Sequence, residues 1–440
     1  MSEDTEQSLA LDVASTIHRS TQWLLNIQDE NSHGWAEQQG RVTSTLNTAE
    51  VIIALLDSQA ATAGSKDIQE GVQFLLKHQY SEGPDLGAWP REVPSTDPHT
   101  PTYHVADLVR TAFIIEALIK AGKGTETQPI HTALAWLLGH RNKDHGWGYY
   151  RSAPSALMPT CFALLAIIEA HRAGMTAHEQ DIKDGLKFLV EHYNTNAEGC
   201  FGEAGPLQAA HTIYAILTIQ AARRENLSVY PQQEKQAIAW LLRNPDAARK
   251  QVEERILIDP SEQGNYGFMF LTEALLIRVL MNAEDKSQRG SGLTRDALSS
   301  IRDKLDASGG FYGYRVFSWS TAKVISALSV AKGEYQTFPQ RQPEYSGLKA
   351  GPFILSFAVL LASFALYLTQ SDQFGVLQAA FFVFLMLTLL LAYGNLREKS
   401  FTELVGNLMD IFKQRTGCKF QVPQNSRRLI RVKARSLNPR

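Results

Sequence analysis

The chain has 440 residues, 44% of them apolar and 20% charged, which is the composition of a folded protein with room for more than one core. The formal charge of −2 is unevenly distributed along the chain. The last 47 residues carry eleven basic and three acidic side chains, whereas the rest of the chain carries 32 basic and 42 acidic ones. With an acidic body, only three cysteines and no apolar segment at the start, we expect no nucleic-acid partner, no disulfide framework and no cleavable signal peptide. The N-terminal part should therefore stay in the cytosol.

An aromatic-led apolar helix end recurs along the first 345 residues. It reads WLLNIQ, FLLKHQ, WLLGHR, FLVEHY and WLLRNP, beginning at Trp23, Phe74, Trp136, Phe188 and Trp240. Most copies are followed by a glycine–aromatic loop, at Gly34-Trp35, Gly87-Ala-Trp89, Gly146-Trp-Gly148 and Gly199-Cys-Phe-Gly202, with a last one at Gly310-Phe-Tyr-Gly313. The pattern predicts an internal repeat, which decides the fold.

A second, more apolar helix follows each loop and carries a threonine at an equivalent place. These threonines are Thr48, Thr111, Thr160, Thr212, Thr272 and Thr321. Helices that are apolar nearly all round are buried, whereas the first helix of each unit shows a polar face. We therefore predict six helical hairpins in two concentric rings, with the apolar helices inside.

These glutamine and glycine–tryptophan repeats resemble those of terpenoid cyclases and protein prenyltransferase β subunits, the prenyltransferase and squalene-oxidase repeats. The resemblance implies an all-α fold, an α6/α6 toroid over residues 1–345, with a ligand cavity at the mouth formed by the first turns of the inner helices. Candidate cavity residues are then Glu50, Tyr103, His104, Asp107, Arg110, His211, Tyr214, Glu273 and Trp319, with Asn47 and Lys323 beside them.

The acids that the family uses for cyclisation are missing. A cyclase that protonates an alkene needs a carboxylic acid held neutral, which the family supplies as Asp-x-Asp-Asp or Asp-Cys-Thr-Ala-Glu. The nearest match here is Leu46-Asn-Thr-Ala-Glu50, with leucine in the acid's place, and neither Asp-x-Asp-Asp nor the Asp-Asp-x-x-Asp of magnesium-dependent ionisation occurs. The sequence thus leaves open whether the toroid is catalytic.

Resemblance to the prenyltransferases implies a zinc site with an Asp-x-Cys and a His-Thr. Cys161 and His211 match two of the three ligands, while Pro159 stands where the aspartate should be. Structural and catalytic zinc sites use at least three protein ligands. The alternative is a buried thiol and a hydrogen-bonded core histidine, and this alternative is favoured.

The polar stretch from His99 to Arg110 has two interpretations. Asp107 and Arg110 are three residues apart on one helix and should form an ion pair. They could grip an anionic head group with help from His104, or the pair could simply hold the start of a helix. The structural interpretation is the favoured one.

Two uncharged stretches predict a transmembrane hairpin in residues 346–395. Residues 353–369 and 374–393 each approach the length that crosses a hydrocarbon core of about 30 Å, and only four residues separate them. Lys349 precedes the first span and Arg397 and Lys399 follow the second, whereas the turn holds only Asp372. The positive-inside rule then places both termini, including the basic tail 396–440, in the cytoplasm, at the inner membrane if the source is bacterial.

Three functions remain open from the sequence. The toroid could bind or act on an isoprenoid or another hydrophobic ligand beside the bilayer. It could instead be a non-catalytic sensor, responding to a protein partner, a second copy or a small signal, whose hairpin acts on the membrane, as in some bacterial anti-phage effectors. A third reading makes the hairpin a passive tether.

Overall fold

A computed structural model describes residues 12–93, 103–124, 127–194, 199–202, 205–227, 230–250, 252–257, 265–312 and 315–339. The chain divides into a unit of residues 1–342 and a unit of residues 343–440. Within the described ranges, no helix is both long and apolar enough to cross a bilayer. The predicted spans 353–369 and 374–393 and the basic tail lie outside those ranges.

Six amphipathic helices form the outer ring. Each buries one apolar stripe and exposes the other face to solvent, as the alternation of buried and exposed positions shows. They are α1 (Val13–Asn26), α3 (Lys66–Lys77), α5 (Gln128–Gly139), α7 (Glu179–Glu191), α9 (Pro231–Arg243) and α12 (Gly292–Asp303), and a short α10 (Pro245–Arg249) follows α9.

Six largely buried helices form the inner ring. They are α2 (Thr45–Asp57), α4 (Leu108–Lys120), α6 (Leu157–Arg172), α8 (Gln208–Arg224), α11 (Thr272–Met281) and α13 (Ser318–Ala331). Each packs against the next in this order, and α13 packs against α2, which closes the ring. Each outer helix after α1 packs on the inner helix before it, while α1 packs on α13. The predicted toroid of six helical hairpins is thus present in the described residues.

The described part of the chain is mostly helical rather than all-α, because four antiparallel β-hairpins interrupt its helices. They pair β1 (Pro90–Val93) with β2 (Tyr103–Ala106), β3 (Tyr193–Asn194) with β4 (Cys200–Phe201), β5 (Val252–Leu257) with β6 (Asn265–Phe270), and β7 (Phe311–Tyr312) with β8 (Val316–Phe317). Each lies between an outer helix and the following inner helix, where the chain reverses direction. Backbone groups in these connections need partners, and the hairpin pairing provides them.

The repeated threonine fastens each glycine–aromatic loop to its inner helix. The backbone N–H of Trp147 donates to the Thr160 hydroxyl at 2.9 Å, and this hydroxyl donates to the Ala156 carbonyl at 2.7 Å. Four other repeats have the same loop contact, at Thr48, Thr111, Thr212 and Thr321. In the fifth repeat, which has the long β5–β6 hairpin instead, Thr272 donates to the Lys250 carbonyl at 2.8 Å.

The loop aromatics fasten each loop to its own outer helix, and the last residue of the outer-helix motif reaches the next repeat. Trp35, Trp89 and Trp147 are fully buried, and each indole N–H donates to a carbonyl at the end of the outer helix before it. The Gln79 amide reaches the Pro129 carbonyl at the start of the next outer helix, at 2.8 Å. Arg141 stands at the equivalent position after α5, and its guanidinium lies 2.8 Å from the Asp181 carboxylate of α7. An ion pair thus joins these two repeats in place of the hydrogen bond.

Candidate functional site

Side chains from five inner helices meet inside the ring, and we call Glu50, Phe113, Phe162, Tyr214 and Lys323 the interior cluster. The Lys323 ammonium lies 3.0 Å from the Glu50 carboxylate and 4.3 Å from the centre of the Phe113 ring. Phe113 lies 5.5 Å from Phe162, which meets Tyr214 edge-on at 5.0 Å. The ion pair and the aromatic rings therefore form a continuous set of contacts inside the ring, which links α2, α4, α6, α8 and α13.

The ion pair of the interior cluster is deeply buried. The Glu50 side chain is 4% exposed and that of Lys323 is 13% exposed. Burial lowers the pKa of Lys323, but the charges of Glu50 and Tyr214 and the hydrogen bond that Lys323 donates to Glu50 outweigh this and raise the pKa above its ordinary value. Lys323 therefore remains an ammonium ion, within ion-pair distance of the Glu50 carboxyl group.

The two predicted zinc ligands have separate neighbours. Burial raises the pKa of Cys161 to about 12, and the Thr218 hydroxyl forms a hydrogen bond with this thiol. The His211 ring packs against Gly202 in the loop after β4, and burial lowers its pKa to about 4. Within the described part of the chain, no three His, Cys, Asp or Glu side chains lie close enough together to hold a metal ion. The zinc hypothesis gains no third ligand there.

Asp107 begins α4 and carries the ion pair that its spacing predicted. Its carboxylate accepts from the Arg110 backbone N–H at 3.1 Å, as an N-cap does, and lies 3.7 Å from the Arg110 guanidinium and 3.6 Å from that of Arg91. Arg110 also donates to the Thr45 hydroxyl at 3.0 Å, which joins the first turns of α4 and α2. Tyr103 and His104 lie in β2, and their side chains are outside the described part.

The remaining predicted cavity residues do not converge with the interior cluster. Glu273 turns outward to α12, where its carboxylate accepts from Ser300 at 2.6 Å and pairs with Lys304. Trp319 stacks on Phe317, with ring centres 5.6 Å apart, and Asn47 is buried in the first turn of α2. These residues hold elements together.

A cavity of about 230 Å³ opens at the other end of the ring, where the inner helices finish. Four consecutive inner helices end there in a charged residue: Asp57, Lys120, Arg172 and Arg224. Glu116, Glu169, Glu225 and Arg278 also line it, with Asn282, Ser326 and Ser329. We call this end the charged mouth. The predictions from the sequence covered only the first turns of the inner helices, although charges in the C-terminal halves of these apolar helices, such as Glu116 and Arg278, were a readable signal.

Some charges of the charged mouth neutralise each other. Lys120 pairs with Asp57 at 2.6 Å and lies 3.8 Å from Glu116, and Arg172 pairs with Glu169. Burial lowers the pKa of Lys120, but these carboxylates together raise it, so it stays charged. Burial raises the pKa of Glu116. The carboxylates of Glu169 and Asp57 raise this pKa further, and the ammonium group of Lys120 opposes them. Cations at helix C-termini also offset the negative ends of the helix dipoles.

Comparison with known proteins gives limited matches. No family model matches the chain. Over 210 residues it is 25% identical to a squalene–hopene cyclase of Bradyrhizobium diazoefficiens, a stretch that covers 41% of this chain and 29% of that enzyme. The chain therefore matches less than a third of the length of this curated relative.

Solved structures with a similar course of the chain belong to proteins of different chemistry. A variant of the type II terpene cyclase MstE from Scytonema, bound to geranylgeranyl dihydroxybenzoate, has a TM-score of 0.47 at 13% identity, covering 73% of this chain and 97% of its own. An inactive α-1,6-mannanase GH76A of Salegentibacter, bound to α-1,6-mannotetrose, has a TM-score of 0.52 at 10% identity, covering 73% and 99%. The latter likeness supports the helical toroid fold alone, since this fold hosts unrelated activities.

Proposed function

We propose that this chain is a membrane-anchored, non-catalytic toroid that binds a ligand and passes the binding event to a C-terminal two-helix hairpin. The buried pair of Glu50 and Lys323 carries the proposal. A cyclase acid must hold a proton that it can give to an alkene, whereas the only glutamate of the Leu46–Glu50 motif faces an ammonium ion 3.0 Å away. The aromatic rings beside it occupy the middle of the barrel.

The course of the chain supports a link between binding and the hairpin. The last inner helix ends at Ala331 on the side of the charged mouth, and Thr337 then pairs with Asp12 at the start of α1. The last pairing of the described chain, at Thr337, therefore follows the end of the last inner helix by six residues. An apolar pair of helices with basic flanks and a nearly neutral turn suits a hairpin with both ends in the cytoplasm.

The test uses the full chain in bacterial cells. Leu361→Lys with Leu385→Lys places a charge near the centre of each proposed span, which costs roughly 2.5–3.5 kcal/mol per site during insertion. Leu437→Lys, in the basic tail, is the matched control. Wild type and control should remain in membranes after alkaline carbonate extraction, and the double variant should not. If all three are extracted equally, the anchor is refuted.

A membrane-potential dye in the same cells separates an effector from a tether. An effector predicts that overexpressed wild type and Leu437→Lys depolarise the membrane, while the double variant does not. If the wild type stays in the membrane but does not depolarise it at any expression level, the hairpin is a tether and its role as an effector is refuted.

A second candidate is binding or conversion of an isoprenoid, and the partial match to squalene–hopene cyclase favours it. This candidate predicts that a polyprenyl or triterpenoid lipid co-purifies with the full chain. Mass spectrometry of extracted lipid, set against a preparation of an unrelated two-span protein, decides between them. A stoichiometric isoprenoid would favour this candidate over the sensor.

A further inference from the structure

Two arginines of the charged mouth form no ion pair among the described residues, although Glu116, Glu169 and Glu225 line the same cavity. Arg224 ends α8 and Arg278 lies in the last turn of α11, and both line the cavity. Among the described residues neither side chain forms an ion pair or hydrogen bond, unlike Lys120 and Arg172 beside them. The neighbouring Arg223 is already occupied, because it binds Glu234 at 3.1 Å and Glu284 at 3.0 Å.

Placing these guanidinium groups together has an energetic cost. The pKa of Arg224 is lowered, first by burial and then by the positive charges of Arg278, Arg172 and Arg223, while Glu169 acts in the opposite direction. Like charges in a partly desolvated cavity repel each other, and the repulsion destabilises the ligand-free fold. Such an arrangement is typical of a binding site whose ligand supplies the missing counter-charge.

We propose that the charged mouth is a binding site for a small anion of the phosphate or carboxylate class, held between Arg224 and Arg278. Guanidinium groups bind such anions through paired, charge-assisted hydrogen bonds. The two arginines come from adjacent inner helices, so one tetrahedral or planar anion can bridge α8 and α11. This site lies at the opposite end of the ring from the first turns of the inner helices, and its argument does not depend on the interior cluster.

The size and polarity of the cavity define the ligand further. At about 230 Å³ it is smaller than the 300–1,000 Å³ of sites for drug-sized molecules. Ser326 and Ser329 of α13 add hydroxyl groups to its lining, and Val330 of the same helix adds an apolar side chain. A long hydrocarbon chain does not suit it, whereas a compact phosphate or carboxylate group does, whether free in solution or at the end of a lipid.

The binding test uses the full-length protein in neutral detergent and inorganic phosphate as the probe. Isothermal titration against chloride of equal ionic strength should show one saturable site. Arg224→Gln and Arg278→Gln should each weaken it by about 10- to 100-fold, the effect of losing one charged hydrogen-bond partner. Arg41→Gln, an exposed loop arginine, is the matched control and should bind like wild type.

A stability measurement separates a binding role from a structural one. Without phosphate, Arg224→Gln should melt no lower than wild type, because it removes repulsion. Phosphate should raise the melting temperature of wild type and of Arg41→Gln but not that of Arg224→Gln. A structural role for Arg224 predicts the opposite, namely a lower melting temperature without any ligand.

Vesicle flotation distinguishes the two sources of the anion. Vesicles with phosphatidic acid, compared with pure phosphatidylcholine, should bind wild type more strongly than Arg224→Gln if a lipid headgroup is the ligand. Phosphate binding without this vesicle preference assigns the site to a soluble anion. The proposal is overturned if neither probe distinguishes the two arginine variants from Arg41→Gln.

Discussion

Replacing Lys323 with methionine tests how strongly the buried pair of Glu50 and Lys323 stabilises the fold. Methionine keeps most of the side-chain volume but leaves the Glu50 carboxylate, 4% exposed, without its ammonium partner. Breaking a buried ion pair on one side costs about 3–5 kcal/mol. At roughly 2–4 °C per kcal/mol for a large domain, Lys323→Met should lower the melting temperature by at least about 6 °C.

The double variant Glu50→Gln with Lys323→Met supplies the control. It removes both charges, and replacing a buried pair by neutral groups of similar volume is often nearly neutral. The two changes should therefore be strongly non-additive in a double-mutant cycle followed by thermal unfolding. A Lys323→Met protein that melts within about 2 °C of wild type would refute the reasoning, because it would show that the buried pair contributes little to the stability of the fold.

Three further predictions concern the loops and the core histidine. Thr160→Val should lower the free energy of unfolding by about 1–3 kcal/mol in chemical denaturation, because it leaves a buried loop amide without an acceptor. The control Thr176→Val, at an exposed position, should lower it by almost nothing. Equal effects of the two changes would contradict the loop role. Gly87→Ala should lower the free energy of unfolding by about 3–4 kcal/mol, since the φ of Gly87 is +91° and a Cβ there would lie 2.4 Å from the backbone of α5. The control Gly83→Ala, at a φ of +81° with open space around it, should lower it by only about 1–2 kcal/mol. His211 has a pKa of about 4 in the fold against an ordinary 6.5, so the unfolded chain takes up a proton first as pH falls. Unfolding titrations should therefore show stability lost between pH 6.5 and 4, by at most about 3 kcal/mol, and this loss should be smaller in His211→Gln.

The sequence was sufficient to predict the ring architecture because its repeat is a local signal. Each threonine recurs at the start of an apolar helix, and the structure shows why, since the hydroxyl of residues such as Thr160 accepts from the loop aromatic. The four β-hairpins escaped prediction because strands of two residues, as in β3 and β7, have no readable alternation. Their pairing depends on where the flanking helices place the chain.

The candidate site could be predicted only in part. Asp107 and Arg110 pair as their spacing indicated, because that contact is within one helix turn. Glu50 with Lys323 could not be foreseen, since these residues are brought together only when α13 closes the ring against α2. Glu273 was expected in the cavity but turns to α12, because the rotation of a helix about its axis is set by packing rather than by its first-turn sequence.

Incubation of the purified full chain with squalene, followed by gas chromatography and mass spectrometry, tests the central claim most directly. With Glu50 paired to Lys323 and no other family acid in the chain, we expect squalene to be recovered unchanged, at the level seen with Glu50→Gln. A cyclic triterpene that forms with wild type and disappears in Glu50→Gln would contradict the account, because it would make that carboxyl group a proton donor.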